Sequence, residues 1–115
     1  MADSYWVADA VSSDGRVGLV AWNQGRDNAP EQLMASVWAN GKWARPILVA
    51  NASYGWITRV RAAVSANGDR MSLIWEEGNF STTAVKKATG GAGVWEVPVE
   101  ITPPYALGDQ FDISA

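Results

Sequence analysis

Ala10-Val11-Ser12-Ser13-Asp14-Gly15 reappears 53 residues later as Ala63-Val64-Ser65-Ala66-Asn67-Gly68. Further landmarks repeat on either side of this stretch. Trp22 corresponds to Trp75 at the same spacing, Trp43 to Trp95 and Pro46 to Pro98 at 52 residues, and Tyr54 to Tyr105 at 51. The order is kept while the spacing drifts by only two residues, which is the mark of a tandem duplication. The unit is roughly 52 residues long, with copies over about 4–53 and 54–105. Asp112-Ile113-Ser114-Ala115 resembles Ala63-Val64-Ser65-Ala66, so residues 106–115 are expected to start or complete a further unit.

Each unit reads as four strands. In the first, Trp6–Ser12, Val17–Asn23, Glu31–Trp38 and Lys42–Ala50 carry the β-branched and aromatic residues. Ser13-Asp14-Gly15 and Asn40-Gly41 separate strand pairs, because Asp-Gly and Asn-Gly supply the positive φ that a tight hairpin needs. The polar run from Gln24 to Pro30 reads as a loop. The second unit gives Thr58–Ser65, Arg70–Glu76, Ser81–Ala88 and Val94–Ile101, with turns at Asn67-Gly68 and Gly90–Gly93. No segment keeps a 3.6-residue apolar period over three turns.

The second strand of each unit sets the architecture. Val17-Gly18-Leu19-Val20-Ala21-Trp22 is apolar on both alternating faces, and Met71-Ser72-Leu73-Ile74-Trp75 nearly so. A sheet with one wet face alternates, so these strands are expected to be covered on both sides. Repeat length, four strands and two-sided apolarity together predict an all-β protein of two four-stranded antiparallel β-propeller blades per chain. Propellers close with roughly 4–8 blades. Identical chains would then close as a dimer of four, a trimer of six or a tetramer of eight blades, and six blades as a trimer is the preferred expectation.

Composition narrows the chemistry. The 115 residues include no Cys and no His, which removes disulfides, thiol nucleophiles, imidazole bases and the usual zinc ligands. No cofactor or metal is expected. The formal charge is −3 and the longest basic run is Lys86-Lys87, so no nucleic-acid partner is expected. No apolar stretch approaches the ~18 residues of a membrane span. Met1-Ala2-Asp3-Ser4 has neither a basic region nor an apolar core, so no signal peptide is read there.

Val11-Ser12-Ser13-Asp14-Gly15, Trp22, Gly41, Trp43 and Pro46, with their second copies Val64-Ser65-Ala66-Asn67-Gly68, Trp75, Gly93, Trp95 and Pro98, resemble the blade repeat of bacterial propeller proteins of the sialidase-like or BNR type. The chain departs from the Asp-box of that family, in which Trp follows Gly by three residues. Trp22 lies seven past Gly15, so sialidase activity is not implied. In size and architecture the chain is also similar to small bacterial and fungal lectins. In the shortest of these, a two-repeat chain trimerises into a six-bladed ring that binds sugars between blades.

Glycosidase chemistry needs a pair of carboxylates flanking one bond. Glu76, Glu77, Glu96 and Glu100 have no matching constellation in the first unit, where Asn23-Gln24 stands for Glu76-Glu77, so no enzyme is expected. Sugar sites place aromatic faces beside charged or amide side chains. The candidates for ligand binding are Trp56, Tyr54, Tyr105, Trp38 and Trp6, with Arg59, Arg61, Glu76 and Glu77 as polar partners. Trp22, Trp75, Trp43 and Trp95 recur at strand positions and are expected to be core wedges between blades. The expected function is non-catalytic binding, with carbohydrate as the leading ligand class and the chain itself as partner. The alternatives are a self-assembling scaffold or engineered or truncated propeller fragment without its own ligand, and a fragment of a glycan-processing enzyme.

Overall fold

The computed structural model describes residues 6–26, 29–53, 55–78, 83–91 and 94–101. Tyr54, Tyr105 and the segment 106–115 lie outside the described residues. The described elements are strands, arranged in two antiparallel sheets. The first sheet holds β1 (Val7–Val11), β2 (Val17–Arg26), β3 (Ala29–Ala39), β4 (Lys42–Trp43) and β5 (Ile47–Asn51). The second holds β6 (Trp56–Val64), β7 (Met71–Gly78), β8 (Thr83–Gly91), β9 (Val94–Trp95) and β10 (Val99–Ile101). β4 and β5 both pair with β3, and β9 and β10 both pair with β8. Each sheet therefore has four strand positions, the fourth in two pieces.

That interruption corrects the continuous fourth strands expected over Lys42–Ala50 and Val94–Ile101. The break falls at Ala44-Arg45-Pro46 and again at Glu96-Val97-Pro98. Proline has no N–H to give to the ladder, so pairing stops beside it. Each break begins with the same bond, Ala44 N–H to Val37 O and Glu96 N–H to Thr89 O, both 2.8 Å.

The expected loop from Gln24 to Pro30 is corrected too. β2 runs on to Arg26 and β3 starts at Ala29, with Gln24 opposite Gln32 and their side chains hydrogen-bonded at 3.1 Å. The register shifts between Gln24 and Arg26, where Pro30 cannot donate. Amide side chains bonded across the pair keep a polar sequence in the sheet. Of the turn expected over Gly90–Gly93, Gly90 and Gly91 instead belong to β8, opposite Trp95 and Val94, and the other two residues lie outside the described residues. A Cβ on Gly90 would lie 2.7 Å from Val94 O and 2.9 Å from Trp95 Cδ2, so this pairing requires glycine.

The hairpins follow their sequence signals. Asn40 and Gly41 have φ of 54° and 80°, the paired positive values of a type I′ turn. Ser12 and Ser65 head equivalent turns: each Oγ accepts the N–H five residues on, Val17 at 3.1 Å and Arg70 at 3.0 Å. Each seryl hydroxyl also bonds the residue two further on, Asp14 or Asn67.

The two sheets share one core. β6 lies across β1, β2 and β3. Leu19, Ala21, Leu33 and Ala35 of the first sheet pack with Ile57, Val60, Leu73 and Trp75 of the second. The faces that meet are not the same face of each sheet. Leu19 and Ala21 point into the core, whereas Ser72 and Ile74, 53 residues later, lie on the side of β7 away from it. Leu73 and Trp75 point into the core, whereas Val20 and Trp22 face outward from the first sheet. The sheets stack front to back.

Candidate functional site

Three of the candidate residues converge at the start of β6. Trp56 pairs with Gly78 and Thr58 with Glu76, which places Trp56, Thr58 and Glu76 on the same face of the second sheet, the one away from the core. Between Thr58 and Arg61 the register shifts by one residue. Arg59 occupies that bulge with φ of 52°, a left-handed conformation that costs a non-glycine residue about 1–2 kcal/mol. Bulges of this kind re-aim a side chain. Here Arg59 Nε stands 3.8 Å from Glu76 Oε2, too far for a hydrogen bond.

Glu76 is the chemically unusual group. It is only 9% exposed, and its Oε2 is buried with no hydrogen-bond partner among the described residues. A buried acceptor left in this state costs about 1–3 kcal/mol, and more when it is charged. Beside it Trp56 is 49% exposed. Trp56 is held in place by its neighbour: Ile57 N–H donates to Glu31 Oε1 at 2.7 Å.

Glu77 has a different role from the one expected. It is 0% exposed and points to the opposite side of β7 from Glu76. Oε1 accepts the Ser53 N–H at 2.7 Å and faces Lys86 Nζ at 3.4 Å, and Oε2 accepts the Trp75 Nε1–H at 2.8 Å. Lys86 Nζ also donates to Ser53 Oγ at 2.7 Å. Glu77 is thus a strut that ties the connector between the sheets to β7 and β8, with no oxygen left for a ligand.

The remaining candidates lie elsewhere. Trp6 is partly exposed just before β1, and its N–H donates to Asn23 Oδ1 at 2.6 Å. Trp38 pairs with Trp43 on the outward face of the first sheet. With Asp9, Val11, Gly18 and Val20 they line a groove of about 360 Å³. Arg61 is exposed on β6, beyond the bulge. Of the four expected core tryptophans, Trp75 is fully buried, Trp95 packs against the core, Trp22 is half-buried on the outward face, and Trp43 is 55% exposed.

Two residues that the sequence reading passed over build the site's support. Asn23 and Glu31 are both buried, and Asn23 Nδ2 donates to Glu31 Oε1 at 3.4 Å. Asn23 is the first-sheet counterpart of Glu76, and its amide oxygen and nitrogen are both used, whereas Glu76 Oε2 has no hydrogen bond among the described residues. The signal available was the duplication itself, since a position that changes from Asn to Glu between copies has changed its partners.

Neither a protein-family model, nor a curated protein, nor a solved structure matches the chain.

Proposed function

We propose that the chain is a non-catalytic ligand-binding module made of two propeller-type blades, and that Trp56, Arg59 and Glu76 bind a neutral, hydroxyl-rich ligand, carbohydrate foremost. The observation that carries this reading is the buried Oε2 of Glu76, which no hydrogen bond from the described residues satisfies. An ionised carboxylate only accepts, so it calls for a donor, and a hydroxyl supplies one. The Arg59 guanidinium 3.8 Å away is a donor beside an acceptor, the arrangement that matches two adjacent hydroxyls of one ring. The neighbouring cation disfavours a cationic ligand at the same oxygen. The exposed indole of Trp56 on the same face offers an apolar surface to the C–H side of such a ring.

The non-catalytic part rests on geometry. Acid–base hydrolysis needs two carboxylates converging on one bond. Glu76 and Glu77 point to opposite faces of β7, and Glu77 is fully engaged.

The blade reading rests on the front-to-back stacking and on the bonds that recur at 52 or 53 residues. In this reading further copies of the chain stack in the same sense until a ring closes, with three chains and six blades as the preferred closure. The scaffold and enzyme-fragment alternatives become outcomes of one experiment. Binding to a glycan array, read beside intrinsic tryptophan fluorescence, is expected to show a responding sugar, and Trp56→Ala is expected to abolish the response while the fold persists. No response across common neutral sugars favours the scaffold, and turnover of a bound glycan favours the enzyme fragment.

A further inference from the structure

The first sheet turns an apolar face outward. Val7, Trp22, Met34 and Leu48 form one row across it in strict register, and Val11, Gly18, Trp38 and Trp43 form another. Val7, Val11, Trp43 and Leu48 are all exposed. Among the described strand residues of this face Asp9 is the one acidic residue, and its carboxylate makes no hydrogen bond or ion pair among the described residues.

The chain itself shows what covers such a face. The counterparts of Gly18, Val20 and Trp22 are Met71, Leu73 and Trp75, all buried beneath the first sheet. In that internal contact β6 lies across β1, β2 and β3, where Ala8, Ala21 and Ala35 form a row. The row that corresponds to it in the second sheet is Arg61, Ile74 and Lys87, in register on the face away from the core. If another copy stacks as the two sheets of one chain do, its Arg61–Ile74–Lys87 row meets β1 of the first sheet. Asp9, the lone acidic residue of the outward face, lies in that strand. Ile74 is already buried with Val85 and Ile101, so the contact is made around it, by exposed Arg61 and half-buried Lys87.

We propose that the outward face of the first sheet is the docking surface for the second sheet of another copy of this chain, with Asp9 facing Lys87 and Arg61 across the contact. This rests on the ring reading above and specifies its interface. The front-to-back contact sets two cations, Arg61 and Lys87, opposite the strand that carries Asp9.

The test is solution mass by light scattering, supported by charge reversal. The wild-type chain is expected at an integer multiple, above one, of 12.3 kDa. Asp9→Lys, and separately Arg61→Glu with Lys87→Glu, should each raise the concentration for half-assembly about tenfold or more, since like charges then oppose each other. All three substitutions together should restore assembly. Unchanged circular dichroism and melting temperature show that each variant is folded. A wild-type monomer overturns both this surface and the ring. An oligomer indifferent to both reversals, or one that the combined variant does not restore, overturns the surface and leaves the ring standing.

Discussion

Trp22-Asn23-Gln24 and Trp75-Glu76-Glu77 are the same stretch of the same strand, 53 residues apart, in different environments. Both tryptophans donate Nε1–H to the side chain two residues on, at 3.4 Å to Gln24 and 2.8 Å to Glu77. In the first sheet this pair faces outward and is neutral. In the second it is buried between sheets, and a carboxylate replaces the amide because Ser53 N–H and Lys86 approach it. The middle residue behaves in the opposite way. Asn23 is buried and satisfied, whereas Glu76 is buried and left with an empty acceptor. Position on the strand sets which way a side chain points, and the neighbouring sheet sets whether its polar atoms are used.

Breaking the two Trp-x-(Gln/Glu) pairs should give the most unequal results. Glu77→Ala leaves the Ser53 N–H and the Trp75 Nε1–H without their acceptor and Lys86 without its counter-charge, so a loss of about 3–5 kcal/mol is expected in urea unfolding. Gln24→Ala should cost less, about 0.5–1.5 kcal/mol, for its two partly buried hydrogen bonds. Trp75→Ala should cost about 3–5 kcal/mol by opening a core cavity, well above Trp22→Ala measured at concentrations where the chain is monomeric.

The next contrast tests the middle position. Asn23→Ala removes the acceptor of Trp6 N–H and a donor to Glu31, at an expected cost of about 1–3 kcal/mol. Glu76→Leu removes an oxygen that has no hydrogen bond, so the fold should be unchanged or more stable while ligand response is lost. If both variants destabilise equally, Glu76 is a structural residue like its counterpart.

The last contrast is at the turns. Ser12→Ala and Ser65→Ala should each cost about 1 kcal/mol, because each removes the same cap. The first turn should respond to acid. The Ser12 hydroxyl, the Arg16 N–H and the Arg16 guanidinium hold Asp14 below the ordinary aspartate value, against a small opposing effect of burial. A carboxylate depressed in the folded state stabilises it above its unfolded pKa, and that contribution fades as pH falls through the folded pKa. Asn67 at the second turn carries no such charge. An NMR titration should show the Asp14 pKa rise in Ser12→Ala.

Much of the build was legible in the residues. Asp14-Gly15, Asn40-Gly41 and Asn67-Gly68 placed three hairpins correctly, and the two-sided apolarity of Met71–Trp75 matches a strand buried on both faces. Two misreadings came from polar residues and prolines whose partners are distant in sequence. Gln24 continues a strand because Gln32 reaches it, and Pro46 and Pro98 split strands whose β-branched flanks read as continuous. The site was half legible. Trp56, Arg59 and Glu76 were singled out, but the separation of Glu76 from Glu77 depends on which side of β7 the first sheet covers, and no local pattern carries that. The bulge that brings Arg59 to Glu76 is a tertiary feature with no glycine to announce it.

The central claim is that Glu76 Oε2 is kept without a hydrogen bond for a ligand. Isothermal titration of neutral monosaccharides into the wild-type chain and into Glu76→Gln tests it most directly. The account predicts that at least one sugar with adjacent hydroxyls binds the wild type, and that Glu76→Gln weakens it at least tenfold with no loss of melting temperature. Equal binding by the two proteins, or heat from neither, would contradict it.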